Sequence, residues 1–285
     1  MTKAIDLQGA VVAITGGGRG IGLATAQALA ARGARVSLGD IDHTLAEDAA
    51  KSLHCYGGEL DVRDRASFAA FLDATRKALG PIDVLINNAG IMPLNPFSEE
   101  PDAITDTQID INLRGVIHGC KLALPEMLAR GKGHIVNTGS LAGVVSLPGA
   151  AIYCATKFAV RGLTQTLRHE YRGTGVNFTC IMPSKVTTEL SSGSDEAARI
   201  IPTVSPQDVA QAIVRSILHR KEEVAVPGYL GSVAALLSLT PSRLERGIRR
   251  LINDQRILEK IDMQARGGLH STGRVACTKG GALET

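Results

Sequence analysis

Apolar residues fall along this chain in two alternating rhythms. Short runs rich in β-branched and aliphatic residues occur at AVVAIT (10–15), ARVSLGD (34–40), the stretch ending GELDV (58–62), IDVLINNAG (82–90), GHIVNTGS (133–140), VNFTCIMPS (176–184) and EEVAVP (222–227). They are apolar at successive positions, the pattern of strands covered on both faces. Between them lie stretches with helical periodicity: LATAQALAARG (23–33), HTLAEDAAKSLH (43–54), DRASFAAFLDATRKALG (64–80), a run from 102 to 130 carrying Ile104, Ile109, Ile111 and Leu113, a segment opened by YCATK (153–157), and 206–220. Gly80-Pro81 supplies a stop after the third helix, whose Phe68, Phe71 and Leu72 share one side. Strands alternating with helices predict one doubly wound α/β domain with a parallel sheet over residues 1–227.

In such sheets ligands sit beyond the carboxyl ends of the strands. Those ends here carry Gly16, Asp40, Asp61, Asn87-Asn88-Ala89-Gly90, Ser140 and Pro183. The first of them belongs to GGGRGIG, set between a buried strand and a helix, with Asp40 closing the next strand. Backbone N–H groups at a helix N-terminus attract a pyrophosphate, and only glycine lets the backbone come close enough. An acid at the tip of the second strand suits the hydroxyls of an adenosine ribose. The unit reads as a Rossmann-type dinucleotide-binding βαβ.

Composition narrows the class. The chain has 285 residues, 44% of them hydrophobic, and a formal net charge of +3, too mild to argue for nucleic acid. Cys55, Cys120, Cys154, Cys180 and Cys277 show no metal-ligand spacing and read as reduced thiols. His118, His134 and His169 lack partners at ligand spacing and read as structural, and no metal is expected. The N-terminal run leads straight into the glycine loop rather than reading as a signal peptide, and no run of 18 apolar residues occurs. A soluble cytoplasmic protein is expected.

YCATK carries the chemistry. On a helix, Tyr153 and Lys157 share one face a turn apart. Moving a proton on an alcohol or carbonyl oxygen needs a group that titrates near neutrality, and a phenol normally titrates near 10. A lysine ammonium beside it favours the phenolate, so the spacing predicts a Tyr153 pKa drawn down toward neutrality.

Taken in order, Thr15-Gly16, Gly20 and Gly22 (T-G-x-x-x-G-x-G), NNAG at 87–90 and the Tyr153/Lys157 pair resemble the short-chain dehydrogenase/reductase family over residues 5–227. The resemblance implies an NAD(P)-dependent oxidoreductase acting on an alcohol or carbonyl. It implies that Gly16, Arg19, Gly20, Ile21 and Gly22 form the cofactor loop and that Asp61-Val62 contact adenine. Asn88, Ala89 and Gly90 would lie over the ribose, and Val186 and Thr188 would hold the nicotinamide carboxamide. Asn112, Ser140, Tyr153 and Lys157 are its catalytic set, with Ser140 and Tyr153 on the substrate oxygen and Lys157 on the nicotinamide ribose. Ser184 departs from the glycine that usually follows Pro183, which bears on local backbone geometry and pocket shape.

Asp40 would repel the 2′-phosphate of NADP and no basic residue follows it, so NAD is expected as cofactor, with Arg19 as the partial counterweight that would admit NADP. Leu141, Val144, Val145, Leu147 and Met92-Pro93-Leu94 should wall the pocket, which favours a hydrophobic secondary alcohol or ketone; ELSSGSDEAARIIP (189–202) should cover it. The alternatives are an NADPH-dependent ketone or 3-oxoacyl reductase and, outside enzymes, a dinucleotide-sensing scaffold. Residues 228–266 read as an amphipathic helical extension with Leu244, Ile248, Leu251, Ile252 and Leu258 as apolar positions. It suits packing on this domain or a sister subunit of a homo-dimer or homo-tetramer, with peripheral membrane contact through 229–266 as the sharper reading. Residues 267–285 read as a disordered tail.

Overall fold

Strand and helix alternate along the chain as the periodicity predicts, in a computed structural model that describes residues 5–187 and 202–238. In order they are β1 (Val11–Thr15), α1 (Gly20–Ala30), β2 (Arg35–Asp40), α2 (His43–Leu53), β3 (Tyr56–Glu59), α3 (Arg65–Leu79), β4 (Val84–Asn87), α4 (Asp102–Ile109), α5 (Gly115–Arg130), β5 (Gly133–Thr138), α6 (Ala151–Glu170), β6 (Val176–Pro183), β7 (Lys185–Val186), β8 (Thr203–Val204), α7 (Pro206–His219), β9 (Glu223–Val226) and α8 (Tyr229–Ser238). Seven strands form one sheet in the order β3-β2-β1-β4-β5-β6-β9. Every pair in it is parallel. This is the Rossmann arrangement, with the order reversing between β1 and β4.

The alternation of side chains along a strand divides the core into two layers. On one face Val12, Ile14, Val36, Leu38 and Ile86 pack with Leu29 of α1 and Ile213 and Ile217 of α7. On the other, Val11, Ala13, Leu85 and Ile135 meet Phe68 and Leu72 of α3 and Met127 of α5. Covering both faces explains why the strands read as unbroken apolar runs.

Three local differences from the sequence reading bear on the site. The helix expected from 102 to 130 is interrupted by a π-helical turn at Asp110–Arg114, which holds the buried Asn112. Asn112 accepts a hydrogen bond from the Ile91 N–H and donates one to the Ile91 carbonyl, both at 2.8 Å, offsetting the distorted helical ladder. The third strand stops at Glu59 rather than reaching Val62, because the Arg63 N–H bonds the Asp61 side chain at 2.9 Å and turns the chain. A second, two-stranded sheet pairs β7 with β8, and it carried no pattern in sequence.

Ser184 sits beside that small sheet. Its N–H donates to the Val226 carbonyl at 2.8 Å and its hydroxyl to the Pro202 carbonyl at 2.7 Å, so the side chain at this position is engaged. In the extension, α8 exposes Tyr229 and Val233 and packs Ala234 inward. Residues 189–201 of the covering segment 189–202, and residues 239–285, including the rest of the expected amphipathic helix and the tail, lie outside the described residues. Among the described residues no helix is long and apolar enough to cross a membrane.

Candidate active site

The crevice over the β1/β4 switch point begins with the glycine loop. Gly16 and Gly20 adopt φ of +63° and +54°, a region that favours glycine. A Cβ on Gly16 would lie 3.0 Å from the Ala89 Cα, and one on Gly22 only 2.0 Å from the Gly16 carbonyl oxygen. The loop thus turns back on the start of α1 with little room for a side chain at Gly16 and none at Gly22. Asp42, Asp64 and Ser205 cap α2, α3 and α7 through their side chains; Arg19, exposed at the start of α1, makes no such cap bond, and the first turn holds no acid. The leading N–H groups of α1 are the ones a pyrophosphate would take, so the residues present fit a dinucleotide. Ile21 turns inward and packs against the core.

Around this loop two motifs are tied together by Thr15. Its hydroxyl accepts hydrogen bonds from the Asn88 and Ala89 N–H groups, both at 3.0 Å. The Asn88 side chain returns bonds to the carbonyls of Thr15 and Gly16 at 3.1 Å. Asp40, 6% exposed, accepts from the Gly18 N–H at 3.0 Å and the Asp42 N–H at 3.2 Å. One strand over, Asp61 is half-buried and pairs with Arg63, with Val62 buried beside it. His118 bonds the Val62 carbonyl through Nδ1 at 3.2 Å, and His134 and Thr179 bond each other inside the sheet at 2.8 Å.

Asn112, Ser140, Tyr153 and Lys157 converge at the other side of the crevice. Gly90 bridges two of them: a Cβ there would lie 3.1 Å from Asn112 Oδ1 and 3.6 Å from Lys157 Nζ. Asn112 also donates to the Thr156 hydroxyl at 3.4 Å, and Thr156 donates to the Tyr153 carbonyl at 2.7 Å. Ser140 lies close enough to Tyr153 to act on its phenol, and it accepts from the Ala142 N–H at 3.1 Å, at the head of a short 3-10 turn. Lys157 Nζ stands 5.6 Å from the Tyr153 ring centroid and donates to the Thr138 carbonyl at 2.9 Å.

Electrostatics corrects one expectation. The spacing of YCATK predicts a phenol drawn toward neutrality, but burial pushes Tyr153 up to about 12, against the Ser140 hydroxyl that lowers it. Burial likewise pulls Lys157 down to about 8. Desolvation disfavours the charged form of each and is the largest cause of both shifts. Helical spacing measures proximity but not dielectric.

Met92, Leu94 and Leu147 pack against a small cluster of Ala142, Ala150, Tyr153 and Cys154, while Leu141, Val144, Val145 and Pro93 are half-buried nearby. Val186 is buried on β7; Thr188 lies outside the described residues. Sequence reasoning missed the Thr138 carbonyl and the Thr156 hydroxyl, for which no sequence signal exists, and the double acceptance by Thr15, which its place in the T-G motif could have suggested. Cys55, Cys120, Cys154 and Cys180 are free thiols, and among the described residues no group of three His, Cys, Asp or Glu could hold a metal.

A family model described as short chain dehydrogenase matches residues 10–199. The chain belongs to the short-chain dehydrogenase family. Among relatives of this short-chain dehydrogenase, 2-(S)-hydroxypropyl-CoM dehydrogenase 3 of Xanthobacter autotrophicus is 37% identical over 73% of this chain and 89% of its own length. Oxidoreductase UcpA of Escherichia coli is 36% identical over 87% of this chain and 94% of that protein. Rat 17-beta-hydroxysteroid dehydrogenase 13 is 33% identical over 88% of this chain and 85% of that one. A short chain dehydrogenase/reductase from Burkholderia phymatum, solved in complex with NAD, superposes with a TM-score of 0.77 at 28% identity, covering 81% of this chain and 94% of that chain. This short-chain dehydrogenase is accordingly an NAD(P)-dependent oxidoreductase with a nicotinamide dinucleotide cofactor.

Proposed function

We propose that the protein interconverts a hydrophobic secondary alcohol and its ketone with NAD, and that Tyr153 is the general acid–base. The observation that carries this reading is the convergence of Asn112, Ser140, Tyr153 and Lys157 on one patch, with Ser140 beside the phenol. The cofactor, when bound, supplies the hydride acceptor or donor. The chain's own residues manage the proton. Ser140 orients the substrate oxygen against the Tyr153 hydroxyl. Lys157, fixed by the Thr138 carbonyl, reaches the nicotinamide ribose, with Val186 at the carboxamide. Asn112, held by Ile91, opens the way to solvent.

A phenol held near 12 is protonated at neutral pH, which suits donation to a ketone oxygen, while alcohol oxidation draws on the small phenolate fraction. The buried Asp40 carboxylate supports NAD over NADP, since a 2′-phosphate would face its charge. Met92, Leu94 and Leu147 beside Tyr153 support an apolar substrate. Two relatives support a hydroxyl-bearing one, being named for a 2-(S)-hydroxypropyl compound and a 17-beta-hydroxysteroid.

Parallel titrations with NADH and NADPH, followed by nicotinamide fluorescence and then by a panel of apolar secondary alcohols, test the reading. Tight NADH, weak NADPH and NAD-dependent oxidation of the apolar members are expected. Preference for NADPH would overturn the cofactor assignment, and turnover confined to sugars would overturn the substrate class.

A further inference from the structure

The order of strands in the sheet lays out the cofactor site from the centre to one edge. The glycine loop follows β1, Asp40 ends β2, and Asp61-Val62 follow β3, with the Leu60 N–H bonded to the Asp40 carbonyl at 2.8 Å. Neighbouring strands lie roughly 4.8 Å apart, so a nucleotide with its phosphate at β1 and its ribose at β2 brings its base over the end of β3. That corner offers an apolar surface in Val62, 7% exposed, and in Ile41, an exposed aliphatic side chain directly after Asp40. It also offers one carboxylate, Asp61.

Asp61 does not stand alone. Arg63 Nε lies 2.9 Å from Asp61 Oδ1 and 3.0 Å from Oδ2, and Arg63 Nη2 lies 2.6 Å from Oδ2. The Arg63 N–H adds a further bond to Oδ1 at 2.9 Å. Asp110 of the π-helical turn, itself paired with Arg114 at 3.0 Å, adds a weaker attraction to the Arg63 charge. An ionised carboxylate has about four acceptor positions on its two oxygens, and it has no donor. Arg63 occupies most of them and fixes the plane of the group, leaving acceptor capacity for one more donor. Burial would raise the Asp61 pKa, and the Arg63 bonds more than offset it, so the carboxyl lies below its ordinary value.

We propose that Arg63 is a positioning residue of the cofactor site, which holds the Asp61 carboxylate as a fixed acceptor for the exocyclic amine of adenine and so selects a 6-amino over a 6-oxo purine. The proposal rests on the dinucleotide reading of the crevice. A planar guanidinium fork fixes a carboxylate in a way that a lysine ammonium does not.

Calorimetric titration with AMP and with IMP tests it without any turnover, on the wild-type protein, Arg63→Met and Arg63→Lys, with NADH binding followed in parallel. The wild type should bind AMP about tenfold more tightly than IMP, as expected for a hydrogen bond to a charged acceptor. Arg63→Met should weaken AMP to near the IMP value while leaving IMP unchanged, and Arg63→Lys should recover only part of the difference. A fold held together less well would weaken both nucleotides alike and leave their ratio intact. An unchanged ratio in Arg63→Met, or equal binding of AMP and IMP by the wild type while NADH still binds, overturns the role of Arg63 alone. A wild type that binds neither AMP nor NADH overturns the dinucleotide reading and this proposal with it.

Discussion

Lys157 donates to the Thr138 carbonyl at 2.9 Å while its Nζ stands 5.6 Å from the Tyr153 ring centroid. The lysine is thereby anchored to the end of β5 rather than to the phenol. Both side chains are nearly out of solvent, at 8% exposure for Tyr153 and 5% for Lys157. Burial raises one pKa and lowers the other, to about 12 and about 8.

A pH dependence follows from the raised phenol. Below its pKa the base form grows about tenfold per pH unit. Alcohol oxidation should therefore accelerate between pH 6 and pH 7, where Lys157 still carries most of its charge, while ketone reduction stays nearly flat. Initial rates in both directions across that range check it; an oxidation rate independent of pH would count against proton removal by Tyr153.

Cofactor choice is expected to hinge on the charge of Asp40 rather than its shape. Asp40→Asn keeps an oxygen to accept from the Gly18 N–H, now 3.0 Å from Oδ2, and removes the repulsion of a 2′-phosphate. NADPH affinity should rise about tenfold with little change in stability, a gain of about 1.4 kcal/mol. Fluorescence titration reads the affinity and thermal melting the fold.

Gly22→Ala probes the closeness of the loop to α1. Its Cβ would stand 2.0 Å from the Gly16 carbonyl oxygen, a backbone atom that cannot swing aside. Overpacking of this kind costs about 1–3 kcal/mol. A lower melting temperature and lost NADH binding are expected together, whereas unaltered binding would mean that the loop is not shaped as described.

His134 should set part of the acid stability. It is fully buried between β4 and β6, with Nδ1 unpaired, and burial lowers its pKa to about 3. An unfolded histidine titrates near 6.5, so the unfolded chain takes up the proton first and stability falls as pH drops from about 6.5 toward 3. At pH 5 the loss amounts to about 2 kcal/mol. His134→Gln removes the titrating group, so its stability should vary less between pH 7 and pH 5 than the wild type's in denaturant melts.

Much of this was legible in sequence. Val11–Thr15, Arg35–Asp40 and the glycines between them declare themselves because burial on both faces leaves an apolar run and a pyrophosphate loop excludes side chains. The spacing of Tyr153 and Lys157 correctly placed them together. What the spacing could not carry was the solvent around them, and so the direction of the phenol's shift was misread. The π-helical turn at Asp110–Arg114 was hidden because a single extra residue in a helical turn leaves no distinct apolar period over five residues. The two-residue strands β7 and β8 are too short for any periodicity. The Arg63 fork on Asp61 depends on side-chain directions at a tight turn, which residue order alone does not specify.

Tyr153→Phe tests the central claim most directly, with kcat measured beside NADH affinity on the same preparation. The phenol hydroxyl is the group assigned to move the proton, while its loss leaves the glycine loop, Asp40 and Lys157 in place. Turnover should fall by about 10²–10⁴-fold with NADH binding nearly unchanged. Full activity in that variant would contradict the account.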